Sequence, residues 1–354
     1  MILLLKPAPP FMEYYIFRES GISNGTFRPD RNAGSFLARE CAGDENISVG
    51  HFLYNGGGII CEDILSLDTE VVDKLQRTVN ILPEHNELTL FGIRVLQDTG
   101  IRCRSYLLCD TAFFTCLPPE ASIYAIPELL TEQGIRRFGG YGLEHRWALM
   151  KAEEAKQIKY GRVVSVYLGD NPNLAAVKEG RPVETTIGFS AVEGIPSSRA
   201  CGDIDPTVVF QLISSGMSFS DINSTLSRDS GYTGFMGRDC RFDEIATAKE
   251  NSRHAELREV LIYDIIKYMG AFTALMGGLD TVIFSGPRAG NYGYFISEIC
   301  RRTFLKEELA GFSNKELSSG SISADGSGID IYCFETDKWS IMSEKIEVTE
   351  NKER

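Results

Sequence analysis

The chain opens on an unbroken apolar run, Ile2 to Leu5, that ends at Lys6 and meets Pro7, Pro9 and Pro10. This pattern predicts a short strand and then a turn that lacks three backbone donors and has three fixed φ angles. Further β-rich runs cover 14–19 and 47–55. Leu65, Leu67, Val71, Val72, Leu75, Val79 and Leu82 recur at helical spacing and predict one amphipathic helix over 63–82. An apolar run over 99–113 predicts a strand that reaches Asp110, and 118–134 holds a turn and a short helix.

The second half repeats this style. A helix is predicted over 143–158, then three strands at 161–170, 173–180 and 181–189 joined by turn-rich junctions. Asp205 and Pro206 read as the N-cap and first position of a helix. A long helix over 251–276 stops at Gly277-Gly278, and 280–286 is a buried strand that runs into a glycine-bearing loop. The charged segment 343–354 reads equally as a final helix or a frayed tail. Two successive units, each a meander or its remnant followed by alternating helix and strand, predict an α/β duplication with a cleft between the halves.

Composition narrows the partners. The 354 residues carry a net charge of −13, which argues against nucleic acid and anionic membranes as partners. The run MILLLK is too short for a leader, and no later apolar run is long enough for a membrane span, so the expected location is cytoplasmic. Nine cysteines without a C-x-x-C pair suggest neither a disulfide framework nor a zinc knuckle. The four histidines show no metal-motif spacing.

The stretch GFSAVEGIPSSRACGDIDP, residues 188–206, is the most distinctive. With VSVYLGDNPNLAAVKEGRPVETTIGF before it, CDTAFFTCLPPEASIYAIP, GIRRFGGYGLEHRW and MGGLDTVIFSGPRAGN, it resembles the acetate kinase family of acetate, propionate and butyrate kinases. The resemblance covers most of residues 2–345. It implies duplicated actin-like, ribonuclease H-like (sugar kinase-like) domains with an interdomain cleft, spanning 1–134 with 335–354, and 135–334. It also implies ATP with Mg2+, a small carboxylate as phosphoryl acceptor, and a homodimer.

Residue by residue, the resemblance assigns Arg199 to the transferring phosphoryl group, a task suited to a five-donor guanidinium. His85 and Asp110 match a catalytic histidine and an aspartate that orients acceptor or metal, and Asp239 and Arg241 match positions beside the nucleotide. Read from the residues alone, Arg199 could form an ion pair with Asp203, Asp110 could cap a turn, and His85 could be a satisfied loop histidine.

Other family positions are changed. Phe52 replaces an arginine that contacts the carboxylate and phosphoryl, and Asn55 replaces a histidine. Tyr141 stands for a histidine thought to stabilise the transition state. The phosphate loops become YLGDNP, with Gly169 and Asp170, and SGPRAGN, with Gly286, Arg288 and Asn291. Tyr54, Glu84, Gly140 and Ala191 take the places that surround the acceptor, so a bare acetate pocket is not expected. Lys338 falls where a magnesium-binding glutamate belongs, with Glu335 and Asp337 adjacent as substitutes. Pro7, Ala8, Pro9 and Pro10 occupy a phosphate-facing turn in which Lys6 alone could hold phosphate. The segment 19–46 is shortened and reads as a loop with one short helix that leaves a sheet edge for a partner. Two readings follow: a carboxylate kinase of altered acceptor, or a catalytically inactive pseudokinase that binds or regulates.

Overall fold

Two six-stranded mixed sheets carry the chain in the computed structural model, which describes residues 1–156, 161–310 and 317–353. The first unit comprises Met1–Thr115, Gly140–Leu143 and the segment from Asp337 onward, and the second comprises Cys116–Gly139 and Glu144–Thr336.

Strands β1 (Ile2–Ala8), β2 (Phe11–Arg18), β3 (Gly21–Phe27), β4 (Ile47–Leu53), β5 (Ile64–Ser66) and β6 (Cys103–Cys109) form the first sheet in the order β3-β2-β1-β4-β6-β5. In the second, β7 (Arg162–Tyr167), β8 (Asn173–Lys178), β9 (Arg181–Thr185), β10 (Thr281–Gly286), β11 (Gly320–Ser321) and β12 (Asp330–Glu335) run β9-β8-β7-β10-β12-β11. Strand for strand the two orders coincide: an antiparallel three-strand meander, two parallel strands, and a short antiparallel edge. The duplication expected from the chain's repeated style is therefore present in the topology.

Local chemistry moves several boundaries. The helix expected over 63–82 is a strand, β5, and then a helix Thr69–Thr78, because Asp68 accepts from Val71 N at 2.8 Å and starts the helix there. Residues 64–66 instead pair with β6. The segment 19–46 holds a strand as well as the helix Ala33–Glu40. A two-residue turn after Arg18 brings β3 back onto β2, and β3 forms the exposed edge of its sheet. Pro206, with Asp205 one residue earlier, precedes the helix Thr207–Ser214, and the Asp205 carboxylate accepts from Thr207 N. The long helix runs Arg253–Met276, with Gly277 in the left-handed region as its stop. The helix expected over 143–158 is seen as Gly142–Lys156; 157 and 158 lie outside the described residues.

The last segment is a helix, Lys338–Glu353. Ile341, Met342 and Ile346 are buried, and Ile346 packs over Gly50 of β4, where a Cβ would meet it at 2.8 Å. Its buried Glu350 accepts from Ser48 Oγ at 2.5 Å and pairs with Arg104 at 2.9 Å. Aliphatic burial and a satisfied carboxylate hold what charge alone would have left frayed. No helix among the described residues is long and apolar enough to cross a membrane.

Candidate functional site

In the first unit, the helix Pro83–Asp98 clamps the end of β4. Thr89 Oγ1 donates to Phe52 O at 2.8 Å, and Asn86 Nδ2 donates to Asn55 O at 2.9 Å. This fixes Phe52 and Tyr54, whose rings meet edge to face at 4.8 Å, and Tyr54 meets His85 in the same way at 4.6 Å. Tyr54 donates to Pro7 O at 3.2 Å, so the proline-rich turn contributes a carbonyl to the cluster. Burial pushes the Tyr54 phenol well above its ordinary range, and the nearby Lys338 ammonium partly opposes this.

Asp110 follows β6 and is buried. Its Oδ2 accepts from Tyr141 N at 2.8 Å, which holds Tyr141 at a φ of 59°, a backbone that costs a non-glycine residue about 1–3 kcal/mol. Gly142 must be glycine, since a Cβ there would lie 2.3 Å from Asp110 O. Asp110 Oδ1 accepts no hydrogen bond among the described residues, and Lys338 Nζ stands 4.0 Å from it. The same ammonium lies over the rings of Phe52 (4.5 Å) and Tyr141 (4.7 Å). Asp110, Tyr141, Tyr54 and His85 are thus brought together, with Lys338 added.

The other residues assigned to this unit have separate settings. Lys6 pairs with Glu13 and lies over Trp339 at 5.1 Å, so its charge is already matched. Glu84 is exposed in the first turn of the Pro83–Asp98 helix. Asp337 Oδ2 accepts from Ser340 N at 3.0 Å and from Ser340 Oγ at 2.7 Å, starting the last helix.

In the second unit, four loops meet. Asp170 Oδ1 accepts from Phe242 N at 3.0 Å, and its Oδ2 pairs with Arg241 at 2.9 Å. Asp170 O accepts from Ser198 N at 2.6 Å, which ties this loop to the one bearing Arg199. Arg199 pairs with Asp239 at 2.9 Å; Asp203 accepts instead from Gly194 N and Tyr268 Oη. Arg288 pairs with Asp243 at 2.8 Å, and Tyr292 donates to the same carboxylate. Asn291 N donates to Arg288 O at 2.9 Å in a short 3-10 turn. Gly169 lies against Tyr167 and Pro287, and Gly290 lies against Glu335, whose Oε1 is 3.2 Å from where a Cβ would stand.

Gly286 has a φ of 152°, and a Cβ would fall 1.9 Å from Leu168 O. Gly286→Ala is therefore expected to destabilise the second unit by about 3 kcal/mol or more. Urea unfolding of parent and variant checks this, and an unchanged midpoint would refute the close packing of the two loops.

Of the carboxylates assigned to magnesium, Glu335 is the last residue of β12 in the second unit, and Asp337 accepts from Ser340 N at the start of the last helix in the first. Sequence spacing gave no metal motif, yet the fold brings donor atoms of Cys240, Glu244 and His254 within 4.8 Å of one another. Arg238 lies 2.6 Å from Glu244 and 2.9 Å from His254, so that cluster holds a cation of its own.

Two sheets of matching order define a duplicated actin-like, sugar-kinase-like fold. The acetokinase family model matches residues 38–342, and the chain belongs to that family. It is 30% identical to the acetate kinase of Halothermothrix orenii, covering 91% of this chain and 83% of that protein. It is 34% identical to the acetate kinase of Clostridium novyi over 68% and 62%. In solved structures, the acetate kinase of Porphyromonas gingivalis matches with a TM-score of 0.84 at 21% identity, covering 97% of this chain and 98% of that one. A propionate kinase from Francisella tularensis matches with a TM-score of 0.84 at 20% identity, covering 96% and 97%.

The sequence did not reveal the position of Lys338. Nothing in the spacing of residues 52, 110, 141 and 338 connects them; the last helix does so by packing on β4.

Proposed function

We propose that the protein is an ATP-dependent carboxylate kinase with an acceptor pocket altered from that of an acetate kinase. An acceptor carboxylate oxygen bonds to the γ-phosphorus as the bond to the β–γ bridging oxygen breaks, giving an acyl phosphate and ADP. Such transfer asks the protein for positioning and positive charge rather than covalent chemistry. The observation that carries the reading is Arg199. Its guanidinium is more than half exposed, and its partner Asp239 is 72% exposed, so the pair is solvated and yields to a phosphoryl group at small cost. In this reading Asp110 and Tyr141 of the first unit orient the acceptor without binding its carboxylate, and Arg241, Arg288, Gly169, Gly286 and Asn291 of the second unit serve the nucleotide. The family resemblance further supports a cytoplasmic homodimer.

A pseudokinase is the second reading, favoured by Asp170. Its carboxylate takes the Phe242 amide and the Arg241 guanidinium, groups that would otherwise suit phosphate. Hydroxylamine trapping separates the two. With ATP, magnesium and a panel of carboxylates, the kinase forms hydroxamate with at least one acceptor. No hydroxamate at single-turnover enzyme levels, together with a melting midpoint raised by ATP, would establish the pseudokinase instead.

A further inference from the structure

The positive charge absent at residue 52 returns from another part of the chain. Phe52 is buried and offers only its ring, and Lys338, from the first turn of the last helix, places its ammonium 4.5 Å from that ring's centroid. Tyr141 supplies a second aromatic face at 4.7 Å. Aromatic faces attract a cation, but they cannot cancel its charge. Asp110, the nearby carboxylate, stands at 4.0 Å, well beyond the ~2.8 Å of a charge-assisted hydrogen bond. Its Oδ2 is turned to the Tyr141 amide. The lysine–aspartate contact is therefore Coulombic, the ammonium standing beside the carboxylate without a hydrogen bond to its Oδ1. The side chain is only 17% exposed, so water screens it weakly.

We infer that Lys338 is the residue of the first unit that binds the acceptor: its ammonium, seated between Phe52 and Tyr141, meets the acceptor's carboxylate. One ammonium, 4.0 Å from Asp110 rather than hydrogen-bonded to it, suits a single carboxylate, and the flanking Phe52, Tyr54 and Tyr141 rings suit an apolar body, so the acceptor class is a small apolar monocarboxylate. Lys6 is not an alternative cation for this role, being engaged by Glu13. The inference rests on the carboxylate kinase reading for its biological meaning, but its test does not depend on turnover.

The probes are acetate, propionate and benzoate. In the absence of nucleotide, saturating carboxylate is expected to raise the melting midpoint of the parent and not that of Lys338→Met. Because the methionine variant leaves a buried carboxylate without its cation, Lys338→Met/Asp110→Asn serves as a second variant that removes both charges. Phe52→Arg/Lys338→Met is expected to restore binding by returning a cation to the cluster. In hydroxamate assays, Lys338→Met raises KM for the carboxylate about 10–100-fold and leaves KM for ATP unchanged. A parent that binds carboxylate through Lys338 yet forms no acyl phosphate would sink the kinase reading and keep this inference. A midpoint shift of equal size in the parent and in both lysine variants, or no shift in the parent, would overturn it.

Discussion

Arg199→Ala should lower kcat for acyl phosphate formation by about 10²–10³-fold, the loss typical when a preorganised donor to a developing anion is removed. Its melting midpoint should stay within about 2 °C of the parent, because the Arg199–Asp239 pair is solvated on both sides and such pairs contribute little to stability. Arg199→Lys keeps the charge and loses the planar fork, so it should fall between the two. Steady-state kinetics beside thermal melts give both readouts. An alanine variant with unimpaired turnover would remove Arg199 from the mechanism. One that is inactive but also strongly destabilised would show that the residue holds its loop instead.

Acidification should destabilise the fold through two buried histidines well before most carboxylates are protonated. His51 on β4 is completely enclosed, neither ring nitrogen has a hydrogen-bond partner among the described residues, and burial lowers its pKa to about 3. His145 is also enclosed and lowered to about 4 by burial, although its Nε2 lies 2.7 Å from Asn173 Oδ1 and its Nδ1 lies 2.8 Å from Ser165 Oγ. An amide oxygen only accepts, so Nε2 carries the proton and Nδ1 accepts from the serine hydroxyl.

The unfolded chain binds protons at both rings near pH 6.5, whereas the folded chain stays neutral down to about 3 at His51 and about 4 at His145. Stability from these groups is complete above pH 6.5 and declines as pH falls, by roughly 5 kcal/mol for the pair between pH 6.5 and 4.5. His51→Phe removes one of the two titrations and two buried polar nitrogens. It should be more stable than the parent at pH 7 by about 1–3 kcal/mol, and the gap should widen on acidification. Melting curves across that range check the sign; parallel curves for parent and variant would mean that His51 takes up its proton equally in the folded and unfolded states.

The fold was legible in the sequence wherever one face of an element is buried. Ile2–Leu5, 161–170 and 251–276 announced strands and a helix through unbroken or periodic apolar positions, and the structure keeps all three within a few residues. β3 escaped because nearly all of its side chains face solvent, so no alternation marks it; backbone pairing to β2 makes it a strand. The extended helix over 63–82 failed for a related reason. Leu65 and Leu67 fit a helical period as well as a strand, and Asp68 decided between them by capping.

The site was legible as motifs and illegible as partnerships. Asp110 and Tyr141 were named separately, but the hydrogen bond between them, and the Gly142 that permits it, depend on a close backbone approach that no spacing encodes. An ion pair of Arg199 with Asp203, four residues on, was the alternative to a phosphoryl contact; the partner in the structure is Asp239, from another loop. Lys338 was read as a lost metal ligand, and its relation to Phe52 emerges only once the last helix is docked.

That docking also sets an order of events during synthesis. β1, β4 and β6 leave the ribosome early, but the groove over Gly50 is filled by Ile346, and Ser48 finds its acceptor in Glu350. The first sheet therefore waits, incompletely covered, while more than two hundred residues of the second unit are translated and can fold as a body. Lys338 arrives with the closing helix, so the cluster it forms with Phe52, Asp110 and Tyr141 is among the last parts of the newborn chain to form. A chain truncated before the last helix would lack both its core lid and its cation.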